Sequence, residues 1–147
     1  IIYKNNKLFK SKSFKIGGVR LLNNLVIESS WFEFKSWLLE NASEIKKIKL
    51  IGVGGNINKI FKLSGVKLGK AMSKSKFKST LKKLKRMSTK QMLVDMKLNP
   101  DRVDIIVPAG NIYYFLMKTL GIQKIFVPKI GLADGMVKQL IRSKIKF

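Results

Sequence analysis

An apolar run that breaks into glycines and resumes as a helix constrains this chain more than any other stretch. Residues 49–61 read KLIGVGGNINKIF, with glycine at 52, 54 and 55. Before the glycines the pattern is that of a short buried strand. After them Ile57, Ile60 and Phe61 recur at three- and four-residue steps, as in a helix with one buried face. A strand passing into a helix through flexible residues is the basic unit of an α/β fold. Glycine in the joint permits backbone angles closed to other residues and lets another group approach the main chain.

The rest of the chain supplies more such units. Ile1 to Lys15 reads as a hairpin turning at Lys4–Asn6. Gly17 and Gly18 end it, and Val19–Ile27 reads as a short helix with Leu21, Leu22 and Leu25 on one face. Ser29 or Ser30 is placed to cap a helix from Trp31 to about Asn41, with Trp31, Phe34, Trp37 and Leu38 inward. Lys46–Val53 is the strand before the glycines, Asn56–Leu63 the helix after them, and Ser64–Ser73 a loop. Ser73–Arg86 is a basic helix with Phe77, Leu81 and Leu84 as its inner stripe. Ser88–Met96 is another, capped by Ser88 or Thr89. Asn99-Pro100 breaks it. Val103–Val107 reads as a buried strand ended by Pro108, and Gly110–Leu120 as an apolar helix stopped by Gly121. Lys124–Lys129 is a last strand. The final helix, from Gly131, turns Leu132, Met136, Val137 and Leu140 inward.

Strands at 46–53, 103–107 and 124–128 alternate with helices after the opening hairpin. This order predicts a single α/β domain over residues 1–147: a mixed sheet whose later strands run parallel, with helices on both faces. Three turns, GVGGN, PAGN and KIGLADG, would then meet beyond the carboxyl ends of the strands, where such folds bind ligands.

Composition narrows the chemistry. The chain has no histidine and no cysteine. That excludes a Ser-His or Cys-His nucleophile pair, a disulfide framework and a Cys-ligated zinc site. The few acidic residues are scattered, with no close carboxylate pair, so no catalytic residue and no metal ligand is assigned within this chain. The net charge is +23, carried by 27 lysines and only 4 arginines. A polyanion partner such as nucleic acid, polyphosphate or an anionic membrane fits this balance. So does an A/T-rich coding bias, because lysine, isoleucine and asparagine all have A/T-rich codons. No apolar run reaches the length of a membrane span, and the first residues lack a signal peptide's apolar core. A cytoplasmic location without membrane attachment is expected.

At the glycine turn two readings stand. IGVGGN is not a P-loop, since no Gly-Lys-Ser/Thr follows, and Ile57 stands where a strict GxGxxG has its third glycine. One reading is an anion site: free amides and the positive end of the helix dipole at the helix start, Asn56 to cap or orient, and Lys59 one turn inside. The other is a tight, closely packed corner. Arg102 and Asp104 are expected to pair across a strand start, and Asp134 to complement a helix dipole.

Four segments carry a resemblance. FKIGGVRLL (Phe14–Leu22), LIGVGGNINKI (Leu50–Ile60), NPDRVDIIVPAG (Asn99–Gly110) and VPKIGLADGMV (Val127–Val137) occur in this order and spacing. Together they resemble the exopolyphosphatase and guanosine pentaphosphate phosphohydrolase family, of the actin-like (ribonuclease H-like), sugar-kinase-like superfamily. The resemblance covers nearly the whole chain. It implies two actin-like domains facing across a cleft, in which polyphosphate or guanosine pentaphosphate loses its terminal phosphate to water with Mg2+ present. It also implies that the glycine-rich phosphate loop and the catalytic glutamate precede Ile1. This chain would then be the C-terminal part alone, a second domain short of its first strand, with the catalytic first domain missing and the fragment inactive by itself.

By the same resemblance Gly54, Gly55 and Asn56 match the family's second glycine turn, and Gly52 its start. Arg20 matches the arginine of GxVRL, here taken as a phosphate ligand. Gly131 and Gly135 match a closing turn, where Ala133 replaces a residue often basic in relatives. The expected partners are the substrate, the missing N-terminal domain and, through charge alone, nucleic acid; a homodimer is a further expectation. The alternative function is a non-catalytic basic module that holds polyphosphate or nucleic acid, and a third is a structural remnant.

Overall fold

The described residues of the computed structural model, 1–144 apart from 6, 43, 44 and 46, form five short strands and eight helices. Strands β1 (Ile2–Lys4) and β2 (Lys7–Lys10) make the expected antiparallel hairpin, with Asn6 of its turn outside the described residues. Helices α1 (Gly18–Leu22) and α2 (Glu28–Ala42) follow. Then come β3 (Leu50–Ile51), α3 (Gly55–Leu63), β4 (Met72–Ser73) and α4 (Lys74–Lys85). The chain continues through α5 (Thr89–Val94), α6 (Pro100–Val103), α7 (Ile106–Thr119), β5 (Lys124–Phe126) and α8 (Leu132–Lys144).

The second sheet has the order β3-β5-β4. β5 lies in the middle, parallel to β3 and antiparallel to β4. The sheet is therefore mixed, as expected, but its third member is not the stretch 103–107. That stretch runs from the end of α6 through a turn at Asp104 and Ile105 into the start of α7, and the expectation is corrected. Val and Ile in VDIIV have strand composition, yet Asn99 is the N-cap of α6 and Pro100 its first residue. Pro108 is the third residue of α7, where its missing N–H has no helical acceptor to lose. PAGN is thus part of a helix and not a turn at the sheet edge.

The missing third strand comes from within the expected loop. Met72 pairs with Ile125 and Ser73 with Lys124, and Met72 is fully buried. Of the strand expected over 46–53, Lys46 lies outside the described residues and the described strand is Leu50–Ile51. Among the described residues β3 pairs with β5 alone, and Ile51 is 59% exposed.

Three helices enclose the core beside this sheet. α3 contributes Ile57, Ile60 and Phe61, α4 contributes Phe77, Leu81 and Leu84, and α7 contributes Ile106 and Met117, all buried around Ile125 of β5. Gly110 sits where the three meet. A Cβ there would collide with Leu81 and stand 3.0 Å from Ile60 Cδ1, so glycine is required for room. A second cluster of rings joins the N-terminal region to α7: Phe14 packs on Phe34 and Trp37, and Trp31 and Phe34 both pack on Phe115. Both tryptophans are structural.

Capping follows local chemistry. Ser73 accepts from Lys76 N–H at the start of α4. Ser88 and Gln91 form a reciprocal capping box on α5. α2 begins at Glu28, earlier than expected. The inward stripe expected on the last helix is also corrected: Met136, Val137 and Leu140 are each more than half exposed, and the side chain of Leu132 lies outside the described residues. Leu22 and Leu25 are likewise exposed.

Candidate anion-binding site at the start of helix α3

Gly54 has φ +121° and ψ 164°, a conformation that L-residues rarely adopt, and it turns the chain from β3 into α3. No side chain caps the helix. Its first intrahelical bond runs from Asn58 N–H to the Gly54 carbonyl, 3.1 Å. The N–H groups of Gly55, Asn56 and Ile57 therefore have no acceptor within the helix. Gly54 and Gly55 are exposed and Asn56 is half-buried. The positive end of the α3 dipole opens to the surface here.

A cation stands at this opening. The Arg102 guanidinium, from α6, lies against Gly55: a Cβ on Gly55 would collide with Nη1 and come within 2.8 Å of Cζ and 2.9 Å of Nη2. The expected Arg102–Asp104 pair is not formed. The acid nearest Arg102 is Asp101, at 4.0 Å from Nε, and the arginine side chain is 39% exposed. Arg102 keeps donors for another ligand. The sequence reading missed this role, because nothing in the spacing of residues 55 and 102 signals their contact.

Lys59 adds a second cation. Its Nζ donates to the Lys97 carbonyl at 2.9 Å. Partial burial, then the charges of Lys62 and Arg102, hold its pKa below the usual lysine value. An anion bound nearby would relieve the part of this shift that comes from Lys62 and Arg102.

The other predicted residues take different places. Gly52 is buried, its N–H donates to the Phe126 carbonyl at 2.8 Å, and a Cβ there would meet Ile57 Cγ1 at 2.8 Å and Ile125 Cδ1 at 3.1 Å. It holds the strand–helix corner and has no amide to offer. Tyr113 of α7 braces the same corner, donating from its hydroxyl to the Val53 carbonyl at 2.9 Å. Burial raises its pKa. Arg20 is exposed in the last turn of α1.

Gly131 and Gly135 follow β5, which is parallel to β3, so KIGLADG leaves the sheet on the same edge as GVGGN. There the Gly131 N–H donates to Asp134 Oδ2 at 2.7 Å. The α8 start is thus already served by a carboxylate, in keeping with the dipole role expected for Asp134. Among the described residues no three acidic side chains come together to hold a metal, and no helix is long and apolar enough to cross a membrane.

No protein-family model matches the sequence, and no curated protein matches it. Solved structures do. Over 99% of its length the chain superposes on the Aquifex aeolicus member of the Ppx/GppA protein family, with a TM-score of 0.73 at 18% identity. The fold is that of a Ppx/GppA protein. It spans 53% of that Aquifex chain, so the likeness takes in about half of the longer protein. The type II variant of the Aquifex aeolicus Ppx/GppA phosphatase matches with a TM-score of 0.69 at 20% identity, over 92% of this chain and 50% of that one. An exopolyphosphatase-like protein matches at 0.65 and 19%, over 90% and 50%. The α/β class expected from the motifs holds; at these identities what is shared is the Ppx/GppA architecture.

Proposed function

We propose that this chain is one part of a phosphoanhydride hydrolase of the exopolyphosphatase kind, supplying half of a phosphate-binding cleft. The observation that carries the reading is the uncapped start of α3 with the Arg102 guanidinium over Gly55, on a Ppx/GppA fold. Three backbone donors and a planar fork of N–H groups suit the oxygens of a terminal phosphate. Polyphosphate and guanosine pentaphosphate both present one. In the full reaction water attacks the terminal phosphorus and the anhydride oxygen leaves. The α3 amides and Arg102 hold the phosphate oxygens as charge develops on them.

The general base is a carboxylate outside this chain, on the half of the protein to which the present fold does not correspond. The apolar stripe of α8, with Met136, Val137 and Ile141 more than half exposed, suits contact with that half. Magnesium would supply charge neutralisation on the phosphates. The described acidic residues form no group of three that could hold it.

The test has two arms. The 147-residue chain, incubated with long-chain polyphosphate and magnesium, should release no phosphate above blank. It should nevertheless bind tripolyphosphate by calorimetry, and Arg102→Ala should abolish that binding. Turnover that survives repurification overturns the division of labour, and unchanged binding by Arg102→Ala overturns the site.

A second reading, a non-catalytic basic binding module, is favoured by one observation. Residues 45–94 contain fifteen Lys or Arg and no Asp or Glu. It predicts steep weakening by salt and no effect of Gly55→Val.

A further inference from the structure

Helix α4 carries cations around its solvent face and acids nowhere. Lys76, Lys78, Lys82, Lys83, Lys85 and the following Arg86 are all exposed. At about 100° per residue they fall on one arc, with Ser75 and Ser79 between them. Phe77, Thr80, Leu81 and Leu84 occupy the opposite, buried arc. Lys74 is separate: its Nζ approaches the Met117 carbonyl at 3.5 Å. No described carboxylate lies within ion-pair distance of an α4 lysine; the described ion pairs are Lys12–Glu33 and Arg102–Asp101. The closest acid in sequence is Asp95, at the end of α5. Along one flank a groove runs between α4 and Leu63, Met87 and Met96, with Lys76, Ser79 and Lys83 on its wall.

This surface is separate from the glycine turn. β4 runs antiparallel to β5, and Lys74 N–H donates to the Gln123 carbonyl, so α4 starts at the amino end of β5. α3 starts at the other end, where Gly52 N–H meets the Phe126 carbonyl.

We infer that the exposed arc of α4 binds the body of a linear polyphosphate chain. Six unpaired cations on one helix face are a cost in self-repulsion that a polyanion removes. The ligand must present phosphate oxygens alone. Phe77 is fully buried, so α4 offers no ring on which a base stacks. Five of the six cations are lysines, point charges on flexible stems that can follow an irregular phosphate chain. The apolar arc is committed to the core, so none is left to enter a lipid surface. The inference takes its substrate class from the function proposed above but needs no hydrolysis.

Fluorescence anisotropy with end-labelled polyphosphate of roughly 100 phosphates tests it, using the intact chain without magnesium; cooperative phosphate-backbone binding falls with salt. A variant with Lys76, Lys78, Lys82, Lys83 and Lys85 all changed to Gln should bind at least about 30-fold more weakly, with a shallower salt slope. Removing five exposed lysines elsewhere (Lys4, Lys7, Lys10, Lys118 and Lys138 to Gln) should cost less than about threefold, since distant charges are screened. The double change Lys82→Ala and Lys85→Ala, checked for native circular dichroism, should fall between the two.

Equal losses in both five-lysine variants mean that total charge alone is read, and overturn the inference. Single-stranded DNA of equal charge binding as tightly as polyphosphate also overturns it, in favour of nucleic acid. Tripolyphosphate binding at the α3 turn should survive the α4 changes, and Gly55→Val should spare long-chain binding. Failure of the turn and failure of the α4 surface are therefore read separately.

Discussion

The Arg102 guanidinium rests on the space that a side chain at position 55 would occupy, with Cζ 2.8 Å and Nη2 2.9 Å from where its Cβ would be. Gly55 is the first residue of α3, and Arg102 belongs to a helix 47 positions further along the chain. The glycine leaves the arginine room to reach the helix start. The arginine places a positive, multidentate group where the helix itself points its unbonded amides. Neither residue forms this site without the other.

Gly55→Val should separate binding from folding. The atoms in its way are the far end of a flexible arginine, and residue 55 has an ordinary helical conformation, so the protein should stay folded with a stability change within about 1 kcal/mol. Tripolyphosphate affinity should fall at least about tenfold, the worth of one charge-assisted hydrogen bond. Arg102→Lys, which keeps charge but loses the fork, should lie between wild type and Arg102→Ala. Titration calorimetry measures all three.

Gly52→Ala should do the reverse. Its Cβ meets Ile57, Ile125 and Tyr113, three side chains of the strand–helix corner. Overpacking of this kind costs about 1–3 kcal/mol. Thermal unfolding should show a lowered midpoint, while the folded fraction binds tripolyphosphate as before.

Anion binding at α3 should take up a proton in alkaline solution. Lys59 titrates below its ordinary value because of burial and the neighbouring Lys62 and Arg102. The unfolded chain therefore holds that proton more readily, and stability rises with pH from the lowered folded value up to the ordinary one near 10.5. A bound anion restores the charge, so affinity should decline as pH climbs through the lowered value. Calorimetry at alkaline pH in buffers of different ionisation enthalpy should detect proton uptake that Lys59→Gln abolishes.

Tyr113 should titrate late. Burial favours its neutral form, and the neutral hydroxyl donates to the Val53 carbonyl. The folded state retains the proton above pH 10, where the unfolded state loses it, so this residue's contribution to stability falls as pH rises past 10. The absorbance titration of wild type minus Tyr113→Phe should show a step above pH 10. Tyr113→Phe should cost about 0.5–1.5 kcal/mol near neutrality through the lost hydrogen bond.

Helices α3, α4 and α5 were legible because their signals are local. Periodic apolar residues at 57, 60 and 61 and at 77, 81 and 84 mark one face, and Ser73 and Ser88 bond within three residues of themselves. Gly121, with φ +65°, ends α7 where expected. Position 103–107 misled because its Val and Ile have strand composition, while the chain there ends α6, turns at Asp104 and Ile105 and starts α7. β4 is two residues long and exists only because β5 lies beside it. The stripe on α8 has the spacing of a core face, yet Met136 and Val137 stay more than half exposed.

From the order of residues alone came what depends on near neighbours: the α/β class, the glycine corner into α3, the excess of lysine, and the lack of histidine or cysteine as nucleophile or base. Folding decided which stretch completed the sheet, that Gly52 was committed to packing while Gly55 stayed open, and that Arg102 stood over it. Contacts between residues distant along the chain leave no periodic trace in sequence. They arise when helices and strands are brought together to bury apolar surface, and the candidate site is made of such contacts.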